Sequence, residues 1–237
     1  LAVELDIPRG ISADSRTLFD VGQAETVRLE KCALTVRNAS DQQTAYHPDV
    51  AFFRAKETPA AAAAAGDKPG AAPRRAGIWL TDCIARGEAA LLRTEGSPPL
   101  ELTWDNGLLA TTERLLVADV ADNAPPPGPA IQITLKHLTA AVRAGLCRFN
   151  HSQITPQTLT ARINCTDSIV MGTAAGPLLE QLGNASAAQF RERIVWNGDR
   201  NFYPGWVNFW SLRFSNPDTP PGSMTFEAWQ SHWSSSE

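Results

Sequence analysis

The 237-residue chain contains only two methionines and four cysteines, and no apolar run long enough to cross a bilayer. Its longest such run, Ala60 to Ala65, is alanine alone, far short of the roughly 20 residues a spanning helix requires. Membrane insertion by this chain is therefore not expected. No basic region followed by an apolar segment opens it, so no secretory leader is expected. Leu1 stands where a methionine would, and the expectation is a piece of a longer protein whose targeting information lies elsewhere. There is no basic stripe: Lys and Arg number 21 against 25 Asp and Glu, for a net charge of −4. Nucleic acid is not an expected partner, because its binding proteins carry a basic patch. Cys32, Cys83, Cys147 and Cys165 form no CxxC pair and have no histidines at zinc-finger spacing. Free, buried thiols are the expectation, with no metal and no cofactor. A Gly-rich phosphate loop, HRD, DFG, GxSxG and HExxH are all missing, so no kinase, serine-hydrolase or zinc-protease signature is present. Asn-x-Ser/Thr sequons start at Asn38, Asn150, Asn164 and Asn184, a motif short enough to match by chance.

What the chain does have is self-similarity, which is sought before any motif. Ile78 to Leu92 aligns without a gap on Ile133 to Cys147, placing Leu80 on Leu135 and Leu91 on Leu146. Shorter copies run from Val27, from Leu100, from Thr166 and, more weakly, from Ile194. Each unit opens on an alternating strand such as Ile131-Gln-Ile-Thr-Leu135, the period-2 pattern of a half-buried strand. A turn-prone position follows: Lys31, Asp82, Asp105, His137, Asp167 and Asn197. Another short strand comes next, then an apolar pair: Leu91-Leu92, Leu115-Leu116, Leu146-Cys147 or Leu178-Leu179.

The turn positions are spaced by 23, 32, 30 and 30 residues from Asp82 onward. The 51-residue interval from Lys31 to Asp82 shortens to 32 when the Ala/Pro/Gly-rich stretch 58–76 is set aside as a loop insertion. Periods of 20 to 50 residues indicate solenoids, propellers or arrays. Few Asn-Gly or Asp-Gly hairpin signals appear, which disfavours a propeller, and LxxLxL repeats are absent. The expected fold class is all-β: one right-handed parallel β-helix over 1–237, with three-strand solenoid turns, about six of them. Asp122 to Pro129 reads as a second outward loop. Five of the seven tryptophans fall at Trp196, Trp206, Trp210, Trp229 and Trp233, so an aromatic cap is expected over 206–237.

The runs Leu80-Thr-Asp-Cys-Ile-Ala-Arg-Gly87 and Thr166-Asp-Ser-Ile-Val-Met-Gly172 resemble the turns of pectate-lyase-like right-handed β-helices. With its Trp196-Asn-Gly-Asp-Arg-Asn-Phe-Tyr203 segment, the chain further resembles β-helical regions of large planctomycete proteins, some of them attached to Ser/Thr protein kinases. The resemblance covers most of residues 20–205 and assigns no function, since one fold hosts many; an extracytoplasmic or cell-envelope location is the favoured expectation.

Two groups of residues could carry chemistry. Asp82, Asp105, His137 and Asp167, stacked on consecutive turns, would bring three carboxylates and an imidazole together. Crowded carboxylates raise one another's pKa, as general acid/base work on sugars requires, and the same oxygens could hold Ca²⁺. The plainer reading is that a bend needs a residue near the left-handed region, which Asp and Asn tolerate. Lys31 in the same column fits bends better than catalysis. The second group is Tyr203, Trp206 and Trp210, with Trp229 and Trp233, as stacking platforms for sugar rings. Buried, they would simply close the hydrophobic end. The expectation is a monomeric, non-catalytic binding or scaffold module with a polysaccharide or protein partner. The alternatives are a carbohydrate-active enzyme using Asp105, His137 and Asp167, and a purely structural spacer.

Overall fold

The computed structural model describes residues 1–9, 16–22, 25–39, 45, 47–56, 75–96, 99–119, 131–153 and 159–234. The stretch 58–74, the Asp122 to Pro129 loop and residues 235–237 lie outside them.

The chain alternates between two sheets. The first holds β1 (Ala2–Asp6), β3 (Thr26–Glu30), β4 (Ala33–Arg37), β6 (Ala76–Gly87), β8 (Leu100–Thr111), β10 (Ile131–Val142), β12 (Ala161–Thr166), β13 (Ile169–Met171) and β15 (Ile194–Asp199). The second holds β2 (Thr17–Val21), β5 (Ala51–Lys56), β7 (Ala90–Glu95), β9 (Leu116–Asp119), β11 (Cys147–Asn150), β14 (Leu179–Gly183), β16 (Trp210–Phe214) and β17 (Gly222–Met224). All pairings between these strands are parallel except β16 with β17. Two short helices, α1 (Ala187–Arg193) and α2 (Phe226–Ser234), complete the described elements. None is long and apolar enough to cross a membrane.

The expectation of a right-handed β-helix with three-strand turns is corrected by this topology, in which strands gather into two sheets. The reason lies in the turn position. β6, β8 and β10 are each 12 residues long and pass through a left-handed residue without losing their ladder. Asp82, Asn106 and His137 have φ of 53°, 52° and 52°, yet pairing resumes on both sides of each. The first two strands expected in each repeat are thus one bent strand. The bend also resets the side-chain alternation. In β6, residues 76, 78 and 80 face inward before Asp82, and residues 83 and 85 after it. A strand of fixed period 2 cannot make that change without an extra residue.

The core fills the space between the sheets. In-register stacking sets Ile78, Leu102, Ile133, Ile163 and Trp196 in one column of the first sheet, each at most 4% exposed. Facing them, Phe53, Leu92, Leu116, Cys147, Leu179 and Trp210 form a column of the second. Each large apolar side chain so enclosed contributes roughly 1.5–3 kcal/mol. No single pass buries its inward side chains; neighbours on either side do. The apolar pairs of the repeat lie where the chain enters the second sheet. The four cysteines are buried and free.

After β14, Ser186 opens α1 with a reciprocal cap: its hydroxyl accepts from Gln189 N, and its own N–H donates to Gln189 Oε1. Phe190 is that helix's buried residue. Beyond β16, helix α2 lays Trp229 and Trp233 against Trp210, at ring centroid distances of 5.8 and 5.6 Å, and sets Trp229 5.3 Å from Trp196.

Candidate functional site

The turn positions form a single column along the first sheet. Lys31, Asp82, Asn106, His137, Asp167 and Arg200 occupy equivalent places in six successive passes, all with φ between 50° and 53°. Asp105 and Asn197 are not corner residues. Asp105 precedes the corner Asn106, and Asn197 lies within β15, three residues before the corner Arg200. Asp-Asn-Gly offers two residues suited to the left-handed region, so composition could not choose between them. Arg200 has no side-chain preference for that region, so nothing in its type marked it.

The structure nonetheless brings Asp105, His137 and Asp167 together. His137 Nδ1 lies 3.1 Å from Asp105 Oδ1, and Nε2 lies 4.0 Å from Asp167 Oδ2. On the next level Arg200 clamps Asp167, with Nε to Oδ1 at 2.6 Å and Nη2 to Oδ2 at 2.9 Å; it also contacts Asp199. Asp82 stands apart from the histidine and accepts from Asn106 Nδ2 at 2.6 Å.

This arrangement suits poorly the acid/base chemistry the column suggests. The Arg200 fork holds the Asp167 carboxyl below the usual carboxylate range, so it carries no proton to donate near neutral pH. A glycosidase acid requires the opposite shift, brought about by burial or a like charge. The column lies on an open face. Of two clefts on the surface, one of about 810 Å³ is lined by Asp6, Thr35, Arg37, Arg86 and Glu88. The other, of about 590 Å³, is lined by Asn184, Ser186, Arg191, Phe214 and Ser215. Neither includes a corner residue. Among the described residues no group of three or more His, Cys, Asp or Glu is placed to hold a metal ion.

The aromatic candidates are engaged in packing. Trp210 is fully buried, and its Nε1 donates to Gln181 Oε1 at 2.8 Å. Trp206 is 9% exposed, and its Nε1 donates to Val170 O at 2.7 Å. Tyr203 is half-buried between Trp196 and Phe209, and burial raises its hydroxyl pKa. Trp206 and Trp210 thus offer no free ring face of the kind sugar stacking needs.

The column beside the corners holds Cys32, Cys83, Gly107, Leu138, Ser168 and Asn201. Gly107 stands there, next to the corner Asn106. A Cβ there would sit 2.0 Å from Trp104 Nε1 and 2.7 Å from Cys83 O, so the large Trp104 indole can fill the core only because residue 107 has no side chain.

A charged group that no sequence pattern marked lies on the outer face of the second sheet. Glu180, 1% exposed, accepts from Arg114 Nη2 at 2.9 Å and Arg148 Nε at 2.8 Å and forms an ion pair with Arg213 Nε at 3.2 Å. Burial lowers the Arg114 pKa, and the neighbouring Arg148 lowers it further. Its partners lie 32 to 66 residues away in sequence, so only the parallel stacking assembles it.

Compared with known proteins, the chain matches no family model, no curated protein and no solved structure.

Proposed function

We propose that the chain is a non-catalytic binding or scaffold module, a part of a larger protein of the cell envelope that, on the resemblance stated above, is Ser/Thr-kinase-linked. The observation that carries this reading is the surface beside the corner column. The outward column two residues past each corner runs Ile84, Leu108, Thr139, Ile169 and Phe202. Of these, Ile84, Leu108, Ile169 and Phe202 are 41%, 37%, 42% and 65% exposed. Five levels at about 4.8 Å make a ridge roughly 19 Å long, apolar at four levels and polar at Thr139. Exposed apolar surface of this kind marks interaction sites more often than chemistry. The adjacent Asp167, held ionised by Arg200 on an open face, supports the same reading.

The test is a polysaccharide-depolymerisation screen of the purified chain, with and without Ca²⁺, following new chain ends on acidic and neutral glycans. No product is expected. Product formed by the native chain and lost in Asp167→Asn would overturn the proposal and make the corner column an active site.

A further inference from the structure

Two of the four cysteines stand side by side. The strand register runs from Glu30 opposite Thr81 to Ala33 opposite Ile84, which puts Cys32 opposite Cys83 in the column one residue past the corner. Hydrogen bonds close the ladder on either side of the pair: Lys31 N donates to Thr81 O at 2.9 Å, and Ile84 N donates to Cys32 O at 2.8 Å. Adjacent strands lie about 4.8 Å apart, inside the roughly 4.4–6.8 Å between Cα atoms that a disulfide spans. Both side chains face the core, with Cys32 7% and Cys83 1% exposed.

The sulfur atoms converge. Cys83 Sγ lies 3.2 Å from Thr81 O and 3.4 Å from Leu29 O, a carbonyl of the strand that leads into Cys32. Cys32 Sγ donates to Glu30 O at 3.2 Å, and the two thiols are hydrogen-bonded to each other. A small polar side chain that bonds the carbonyl two residues before it recurs in this column: Ser168 Oγ donates to Thr166 O at 2.7 Å. Serine would meet that need at Cys32 and Cys83 as well. Two successive cysteines add what serine lacks, a covalent bond between levels. The other two thiols have no such route. Cys147 belongs to the second sheet and Cys165 to the first, and facing sheets lie about 10 Å apart, beyond the roughly 7 Å that a disulfide can bridge.

We infer that Cys32 and Cys83 are a modification site, a dithiol that a low-molecular-weight disulfide oxidises to an internal disulfide locking β4 against β6. One protein thiol loses its proton, and its thiolate attacks a sulfur of the external disulfide, releasing one half of it as a thiol. The second protein thiolate then attacks the protein sulfur of the mixed disulfide and releases the other half. The protein gives up two electrons and two protons, and the oxidant leaves as two thiols. Cys32, the more exposed of the pair, is the one the oxidant meets first. Burial raises the Cys83 pKa, so its thiolate forms less readily and closes the bond second. The bond joins residues 51 apart in sequence and ties together the corners at Lys31 and Asp82. It goes beyond the reading of the chain as a binding or scaffold module and uses none of the surface on which that reading rests.

The test brings the full chain to equilibrium with oxidised and reduced glutathione, once from the native reduced state and once by refolding from urea, so that burial of the thiols cannot hide the reaction. Mass spectrometry of non-reduced tryptic peptides should find, by both routes, one linked pair carrying Cys32 and Cys83, with Cys147 and Cys165 outside it. Dithiothreitol should reverse the link. Oxidation should lower the urea unfolding constant by up to about a thousandfold, the chain-entropy effect of closing a loop of about 50 residues. Cys83→Ser, whose hydroxyl can bond Thr81 O as Ser168 bonds Thr166 O, should keep the native circular dichroism and lose both the link and the stabilisation. No link between Cys32 and Cys83 by either route would overturn the inference. So would a link that takes in Cys147 or Cys165, or an oxidised chain no more stable than the reduced one.

Discussion

Lowering the pH from 7.5 to 4.5 should weaken the fold through one buried side chain, His151. It is 3% exposed and stacks between Phe149 and Phe190, with centroids 6.4 and 5.1 Å away. Its Nδ1 accepts the Leu159 N–H at 3.1 Å. Protonation would place a charge in this aromatic sandwich and turn that acceptor into a donor facing a donor. Burial accordingly lowers the His151 pKa to about 3, against about 6.5 for an unfolded histidine. The sign follows from proton counts. Above pH 6.5 neither state binds the proton, and His151 contributes no pH dependence. Between 6.5 and about 3 the unfolded state binds it and the folded state does not, so stability falls by about 1.4 kcal/mol per pH unit. At pH 4.5 the loss from this residue is about 2.7 kcal/mol. Urea unfolding followed by circular dichroism at half-unit pH steps measures it, with His151→Phe as the comparison. The variant keeps the stack but strands the Leu159 N–H, so it starts about 1–3 kcal/mol less stable at pH 7.5. It should then lose stability more slowly than the native chain, the two curves converging as pH falls. Equal slopes between pH 6.5 and 4.5 would refute the reasoning. Other groups, including His232, whose pKa is lowered by burial, titrate in both proteins and cancel in the difference.

Glu180→Ala should destabilise by about 3–5 kcal/mol in the same urea assay, because it leaves the charges of Arg114, Arg148 and Arg213 without their common partner; a loss below about 1 kcal/mol would show the group to be hydrated. Gly107→Ala should cost at least about 1–3 kcal/mol, since the new Cβ meets Trp104 Nε1 at 2.0 Å, and its tryptophan emission should shift; an unchanged midpoint would contradict the packing. At the corners, His137→Gly should be nearly neutral and His137→Val about 1–2 kcal/mol worse, the penalty of a branched side chain at φ 52°. Equal effects of Gly and Val would remove the conformational reading of the column. In a host that attaches N-glycans, mass spectrometry of tryptic peptides should find Asn38 unmodified. Its side chain is fully buried and donates to His47 O and Glu88 O.

The repeat was legible because its cause is local. Every pass must turn at one place and bury one alternating stripe, so Asp82, His137 and Asp167 stand out by residue type and spacing. What spacing could not decide was how many strands a repeat makes. A left-handed residue between two alternating segments ends a strand or bends it, and the choice depends on whether neighbours keep the ladder in register through the corner. Here they do, from Glu30 opposite Thr81 to Ala33 opposite Ile84 and onward through β10, and two sheets result where three strands per turn were expected. The tryptophans illustrate the same limit: Trp210 and Trp206 become core through partners, Gln181 and Val170, that lie 29 and 36 residues away.

The corner column shows why proximity alone is a weak argument for chemistry in a stacked parallel sheet. In-register pairing repeats every side chain about 4.8 Å along the stack, so any polar requirement shared by all passes becomes a polar row. Asp105, His137, Asp167 and Arg200 approach one another for that reason, and the same geometry places Lys31 and Asp82 at the head of the row. What would distinguish an active site is a departure from the repeat: a cleft, a carboxyl held protonated, or a cation shared by several oxygens. The row instead ends in a guanidinium fork that holds Asp167 ionised. The departure lies elsewhere, along the column of Ile84, Leu108, Ile169 and Phe202, where the stacking leaves apolar side chains facing outward, and there a partner has the most to gain.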